Sequence, residues 1–186
     1  MLSSSRRAKP RLDLSMVMTT RVLILADCAA LVLLAITIYF TRATFRRVAG
    51  ALIAGVTITV LIAGVDALAG KLGWWHYPGT ETAFAPALMY VAAALWYGAG
   101  AGLIGWRLIR RFGWRGFVGF VGGMGVFGPL RDYAGAAATG AIVFAPGIVP
   151  ALADAGCWAG GMAMAQVVMR LVSGPARSDP LRRARS

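Results

Sequence analysis

Five ionisable residues lie within segments that are otherwise apolar. They are four aspartates and one arginine: Asp27, Asp66, Arg131, Asp132 and Asp154. An Asp or Arg at the centre of a membrane helix costs about 2.5–3.5 kcal/mol on insertion scales, and less toward the helix ends. Groups that are so costly usually face one another, water or a bound molecule. These five residues are therefore the first candidates for chemistry.

The charges of these five residues do not balance. Arg131 can neutralise one aspartate, so the other aspartates must contact water, accept hydrogen bonds or hold a proton. Neighbouring residues on a helix point about 100° apart, so we expect Arg131 to pair with Asp154 or Asp66 of another span rather than with Asp132. The four aspartates are candidate catalytic residues. The alternative interpretation is that they are polar groups at helix ends and that Arg131 is paired for assembly.

Composition indicates which elements position these side chains. The chain is 59% apolar and only 14% charged, with a mean hydropathy of +0.70, whereas about a quarter of the residues of a soluble domain are charged. Five windows are long enough to cross about 30 Å of hydrocarbon at about 1.5 Å per residue. These windows are 22–40, 48–70, 86–106, 116–138 and 148–170.

The predicted fold class is all-α, a polytopic integral membrane protein with a bundle of about five transmembrane helices. Open backbone groups find no water in lipid, which favours helices, and the windows lack the alternation of a barrel. One transmembrane domain, 21–172, is expected between a flexible basic N-terminal tail, 1–20, and a flexible basic C-terminal tail, 173–186.

Basic residues near the span ends predict the orientation. Loop 1–2, loop 3–4 and the C-terminal tail share one side and carry eleven basic residues: Arg42, Arg46, Arg47, Arg107, Arg110, Arg111, Arg115, Arg177, Arg182, Arg183 and Arg185. The positive-inside rule places that side in the cytoplasm and the N-terminus outside, in a multi-pass protein of the cell membrane. The basic N-terminal tail argues against this orientation unless translation starts at Met16 or Met18. The net charge of +12 predicts membrane lipids as partners and no nucleic acid.

The fourth window, "GFVGFVGGMGVFGPLRDYAG", combines bulky residues, glycines and a charged pair. Its bulky residues recur at steps of three and four, which places them on one face that leads to Arg131. These residues are Phe117, Phe120, Met124 and Phe127. Pro129 predicts a kink just before Arg131.

Pairs of small residues four apart occur in three of the windows. The pairs are Gly98 with Gly102, Gly119 with Gly123, and Gly156 with Gly160. Such pairs favour close helix packing, either within the chain, with a partner helix or in a homo-oligomer.

The loop between the second and third windows, "DALAGKLGWWHYPGTETAFAP", is rich in aromatic residues. Trp74, Trp75 and Tyr77 fit either an aromatic belt at the headgroup level or the wall of a ligand pocket. Tyr133 and Glu81 are further pocket candidates, and His76 is a candidate acid or base. Two isolated cysteines and one histidine make no metal pattern, so neither a metal nor a cofactor is predicted.

The stretch "DALAGKLGWWHY", from Asp66 to Tyr77, resembles a helix–loop junction of the lycopene cyclase domain and related carotenoid-modifying membrane proteins. The similarity covers about a dozen of the 186 residues. It implies a small all-helical membrane domain that acts on an isoprenoid, with Asp66, Trp74 and Tyr77 in the pocket.

Three functions follow as hypotheses. An enzyme acting on a membrane-dissolved isoprenoid or lipid would use an aspartic acid to protonate a double bond and aromatic faces to stabilise the cation. A small transporter or permease subunit would use the aspartates as a proton or cation site. A structural subunit would use its glycine-rich faces to bind other helices. We expect convergence of the aspartates on one pocket to favour the first two.

Overall fold

The computed structural model describes residues 14–78 and 87–181, with side chains from residue 20 onward. The described chain consists of helices, two short strands and the loops that join them, which confirms the all-α prediction. Its elements are α1 (Leu14–Thr41), α2 (Phe45–Leu72), β1 (Trp75–His76), α3 (Ala87–Ala92), a π-helical segment (Ala93–Gly100), α4 (Ala101–Phe112), α5 (Trp114–Thr139), β2 (Val143–Phe144) and α6 (Ile148–Ser173).

Within the described residues, four helical stretches are long and apolar enough to cross a membrane. They are Thr20–Thr41, Phe45–Leu72, Ala87–Phe112 and Ile148–Ser173. The third contains α3, the π-helical segment and α4 as one continuous rod. Helix α5 matches the remaining predicted window and has 26 residues, but its glycines and its charged pair make it less apolar. The fold is that of a multi-pass helical membrane protein.

Four of the five rods form a ring. Helix α2 packs against α6 and the π-helical segment, α6 packs against α5, and α5 packs against α4. Helix α1 lies outside this ring, mainly on α3 and the π-helical segment. The core between the rods contains Ile58, Leu103, Trp106, Met162 and Met169, each at most 2% exposed.

Glycines allow two of the rods to approach closely. A Cβ atom on Gly98 would lie 2.3 Å from Cα of Gly55, so α2 and the π-helical segment touch backbone to backbone. Gly102 is also packed, near the sulfur of Met169. The other two predicted glycine pairs, in α5 and α6, have no atom within 4 Å of the added Cβ and therefore do not mediate packing within the chain.

The two ends of the bundle differ in character. The arginine end carries residues 42–44, Gly113 and the segment 174–181, and the aspartate end carries residues 73–78 and 140–147. At the aspartate end, β1 pairs antiparallel with β2, with Trp75 opposite Phe144 and His76 opposite Val143. This small sheet ties the loop after α2 to the loop between α5 and α6.

Residues 174–181, which belong to the C-terminal tail of the prediction, contact the bundle. Asp179 forms an ion pair with Nε of Arg47 at 2.8 Å, and its backbone carbonyl accepts from Arg110 at 2.6 Å. Arg47, counted above as a loop residue, lies in the first turn of α2 and is 1% exposed. Its guanidinium also donates to the carbonyls of Met169, Ser173 and Gly174. Arg47 thus holds the end of α6 and the start of the tail.

Candidate functional site

Asp66 is the best-satisfied carboxylate at the aspartate end. Gly73 adopts φ 68°, a left-handed conformation that ends α2 and turns the chain back. The strand that follows alternates, so that Trp75 and Tyr77 are buried while His76 is exposed. Trp75 Nε1 and Tyr77 Oη donate to Asp66 Oδ1 at 3.1 and 3.0 Å. Tyr90 Oη, from α3, donates to Oδ2 at 2.7 Å.

These three donors form an aromatic cage around Asp66, which is 3% exposed. Burial and the adjacent Asp66 carboxylate raise the pKa of Tyr77, so that its hydroxyl remains a donor at physiological pH. Trp75 and Tyr77 therefore enclose Asp66, and neither residue lines the groove or the second cavity described below. Trp74 is half-buried and packs against Trp75, with ring centroids 6.4 Å apart.

Asp132 and Arg131 lie on α5 beside aromatic residues of two other helices. Trp158 of α6 donates from Nε1 to Asp132 Oδ2 at 2.7 Å. The Arg131 guanidinium carbon lies 4.3 Å from the ring centre of Tyr97 and 5.9 Å from that of Trp158. The rings of Tyr97 and Trp158 meet edge to face at 5.2 Å. This aromatic pair supports the charged pair at the end of the bundle.

The predicted partner of Arg131 is wrong. Arg131 Nη1 forms an ion pair with Asp132 Oδ1, its neighbour in sequence, rather than with Asp154 or Asp66. The arginine side chain is long enough to bridge the angular separation on the helix, while its guanidinium stacks over Tyr97. Helix α5 continues through Pro129 to Thr139. Arg131 and Asp132 therefore lie on the helix itself, in its half nearer the aspartate end.

Asp154 is the carboxyl of this region with an unpaired atom. The residue is 7% exposed, and its Oδ2 has no hydrogen-bond partner within the described part of the chain. The same holds for the hydroxyl of Tyr133, which is close enough to interact electrostatically with Asp154. Asp132, Arg131 and Asp66 also lie within electrostatic range of Asp154. Three of the predicted aspartates, together with Arg131, thus gather in one region.

The other predicted site residues lie elsewhere. Asp27 is on α1, whose main contacts are with α3 and the π-helical segment, and its Oδ1 is buried without a described partner. The exposed side of β1 carries His76, away from the cage of Asp66, so a role as acid or base beside these carboxyls is not supported. Glu81 lies outside the described residues.

An apolar groove runs from this region along α5. It has a volume of about 390 Å³ and separates α5 from the rod of the π-helical segment and α4. Its lining comprises Trp96, Tyr97, Ala101, Ile104, Leu108, Gly119, Phe120, Gly123, Met124 and Phe127. Three residues of the predicted stripe, Phe120, Met124 and Phe127, thus share one face. The groove includes Tyr97, on which the Arg131 guanidinium lies.

Residues that the sequence analysis did not single out complete the site: Tyr90, Tyr97, Phe144 and Trp158. The π-helical segment contributes Trp96 and Tyr97, and such segments are frequent at functional sites. Phe144 stacks on Tyr133 with a centroid distance of 4.1 Å. Tyr90, Tyr97 and Trp158 lie inside apolar windows, where aromatic residues give no separate signal in one sequence because core packing explains them equally well.

No protein-family model, curated protein or solved structure matches this chain. The fold and the charged cluster define its class, a small multi-pass helical membrane protein with a polar cluster at one end of the bundle.

Proposed function

We propose that this protein binds an amphiphile, an isoprenoid- or lipid-like molecule, with its apolar chain in the groove along α5. One observation carries the proposal: the apolar groove is lined at one end by Tyr97, whose ring also supports the guanidinium of Arg131. An apolar groove that ends near a charged side chain matches a molecule with a long apolar chain and a small polar end. The apolar chain would pack on Phe120, Met124 and Phe127.

The polar end of the amphiphile would lie at the ion pair of Arg131 and Asp132. The side chain of Arg131 is 43% exposed, so its guanidinium has donors left for a hydroxyl or carbonyl oxygen. Asp132 is held by Trp158 and is less exposed, at 21%. A hydroxyl-bearing isoprenoid could donate to the carboxylate and accept from the guanidinium at the same time.

The groove can be blocked without disturbing the fold. Gly123 lines the groove, and an added Cβ there meets no atom within 4 Å. Gly122 also has free space but does not line the groove. Gly123→Leu therefore fills the groove, and Gly122→Leu is a matched control that adds the same side chain to the same helix.

The test uses photocrosslinking of the purified full chain with a diazirine-bearing farnesol. We expect labelled peptides from 119–127, a tenfold or greater loss of labelling in Gly123→Leu, and retention in Gly122→Leu. Competition by unlabelled farnesol should be stronger than competition by a hydrocarbon without a hydroxyl, and Arg131→Gln should abolish that difference. Equal labelling of both leucine variants would refute binding in the groove.

Proton transfer to the bound molecule is a second candidate function, favoured by the buried and unpaired Oδ2 of Asp154. Asp154 would give its proton to a carbon–carbon double bond and become a carboxylate, leaving a carbocation on the substrate. The carboxylate left on Asp154 would stabilise that cation. Loss of a proton from a neighbouring carbon back to Asp154 would complete an isomerisation.

Isomerisation is tested by incubating the protein with a polyprenol in deuterated water. We expect carbon-bound deuterium in the recovered lipid, and none with Asp154→Asn. Retained groove binding by Asp154→Asn would separate this chemistry from binding. Deuterium incorporation that survives the substitution would exclude Asp154 as the donor.

We also propose that the arginine end faces the cytoplasm of a cell membrane and that the aspartate end faces outward, because basic residues gather at the former. Reporter fusions at residues 43 and 113 should give cytoplasmic signals, and a fusion within 79–82 should give an external one. The reverse pattern would invert the orientation.

A further inference from the structure

A second cavity lies at the arginine end, on the opposite side of the bundle from the aspartates. It has a volume of about 520 Å³ and is formed by α4, the start of α5, the end of α6 and the segment after it. Its lining comprises Arg47, Trp106, Ile109, Gly113, Trp114, Phe117, Gln166, Val167, Arg170, Pro175, Ala176 and Arg177. Neither the apolar groove nor the proposed amphiphile site uses these residues.

The cavity has an excess of positive charge. Arg47 is neutralised by Asp179. Arg170 and Arg177, by contrast, have no ion-pair partner in the described part of the chain, and both are exposed at its surface. The Arg177 side chain occupies the space above Gly113, where an added Cβ would lie 2.0 Å from Nη2. Gly113 thus lets the guanidinium of Arg177 lie against the turn between α4 and α5.

A buried donor points independently to a ligand. Trp106 lines the cavity and is 0% exposed, and its indole Nε1 has no hydrogen-bond partner in the described structure. A buried N–H group without an acceptor costs about 1–3 kcal/mol, so such groups are usually paired. The Arg47 guanidinium lies 5.2 Å from the centre of the same ring. An oxygen-rich anion that entered from the cavity and reached the ring of Trp106 would satisfy the indole donor.

Apolar residues at the cavity suggest where this anion comes from. Trp114 and Val167 line it and are 72% and 49% exposed on the outer surface of the bundle. The rings of Trp114 and Phe117 are stacked at 5.0 Å. In a membrane, acyl chains would cover these residues while a headgroup reached the arginines.

We propose that this cavity binds the phosphate headgroup of an anionic phospholipid from the leaflet at the arginine end. Arg170 and Arg177 contact the phosphate, the indole of Trp106 donates to an oxygen of the headgroup, and the acyl chains lie along Trp114 and Val167.

The test measures binding of dihexanoyl phosphatidylglycerol to the detergent-solubilised full chain, through the rise in unfolding temperature. Arg170→Gln with Arg177→Gln should weaken the affinity tenfold or more. Arg111→Gln with Arg115→Gln is the matched control, since it removes the same charge from the same end outside the cavity, and should change the affinity less than twofold. Trp106→Phe should weaken the affinity several-fold while keeping an aromatic ring.

Two ligand controls separate headgroup, chain and charge. Dihexanoyl phosphatidylcholine should bind at least tenfold more weakly, and glycerol phosphate without chains should give no rise in unfolding temperature at the same concentration. The proposal is overturned if glycerol phosphate binds as well as the lipid, or if the two double variants weaken binding equally, which would indicate diffuse charge attraction.

Discussion

The aromatic cage around Asp66 leads to a quantitative prediction about stability. Asp66 accepts from three side chains that come from β1, the residue after it and α3. A hydrogen bond to a charged group contributes about 1.5–3 kcal/mol. Replacing Asp66 by alanine removes all three of these hydrogen bonds, although it also removes the cost of burying a carboxylate. Three such bonds contribute about 4.5–9 kcal/mol together, and the recovered cost of burying the carboxylate offsets part of this sum, so the net loss should be about 3–5 kcal/mol.

The individual contacts can be separated. Tyr77→Phe and Tyr90→Phe each remove one donor and should cost about 1.5–3 kcal/mol. Asp66→Asn keeps the shape and one acceptor oxygen, so it should lose less than Asp66→Ala. Tyr39→Phe is the matched control, because Tyr39 is 74% exposed and surface substitutions usually change stability by about 0.5 kcal/mol or less.

The measurement is equilibrium unfolding in mixed detergent, followed by circular dichroism, together with a thermal scan. At about 2–4 °C per kcal/mol for a chain of this size, Asp66→Ala should unfold about 6–20 °C below the wild type. A fall no larger than that of Tyr39→Phe would refute the reasoning, since it would mean that the cage contributes no net stability.

Two further predictions concern the arginine end and the helix contacts. Arg47→Ala should cost about 3–5 kcal/mol in the same unfolding assay, because it leaves Asp179 and several carbonyls without their donor. Adding Asp179→Ala should recover part of that loss, and a purely additive double variant would contradict the pairing. Gly98→Ala should destabilise by about 1–3 kcal/mol through overpacking against Gly55. Gly156→Ala, with open space around it, should be neutral or stabilise by up to about 1 kcal/mol; equal effects of the two alanines would contradict this packing.

The lengths and compositions of the apolar windows predict the helical rods. Hydrophobic runs long enough to cross a bilayer are a local property of the chain, and helices satisfy their own backbone groups. The face shared by Phe120, Met124 and Phe127 is local in the same sense, because it follows from helical periodicity. The residues that form the polar cluster at one end were also largely predicted, since Asp66, Asp132 and Asp154 stand out in apolar surroundings.

Pairings between helices were decided only by the tertiary structure. Spacing predicted that Arg131 would avoid Asp132, but stacking on Tyr97 and Trp158 bends the arginine back to its neighbour. The three predicted glycine pairs look alike in sequence, yet of these three only the pair of Gly98 and Gly102 packs against other helices in the described structure. Which surface meets which helix depends on the packing of all rods together.

Local properties of the sequence and contacts made only on folding thus account for different features of the protein. The sequence by itself determined an all-helical membrane protein with its aspartates grouped toward one end, because length, hydropathy and charge act locally. Only the tertiary structure shows that Arg47 is buried in an ion pair with Asp179 and that aromatic residues enclose Asp66. A buried charge needs partners, and those partners come from residues far apart in the chain that only folding brings together.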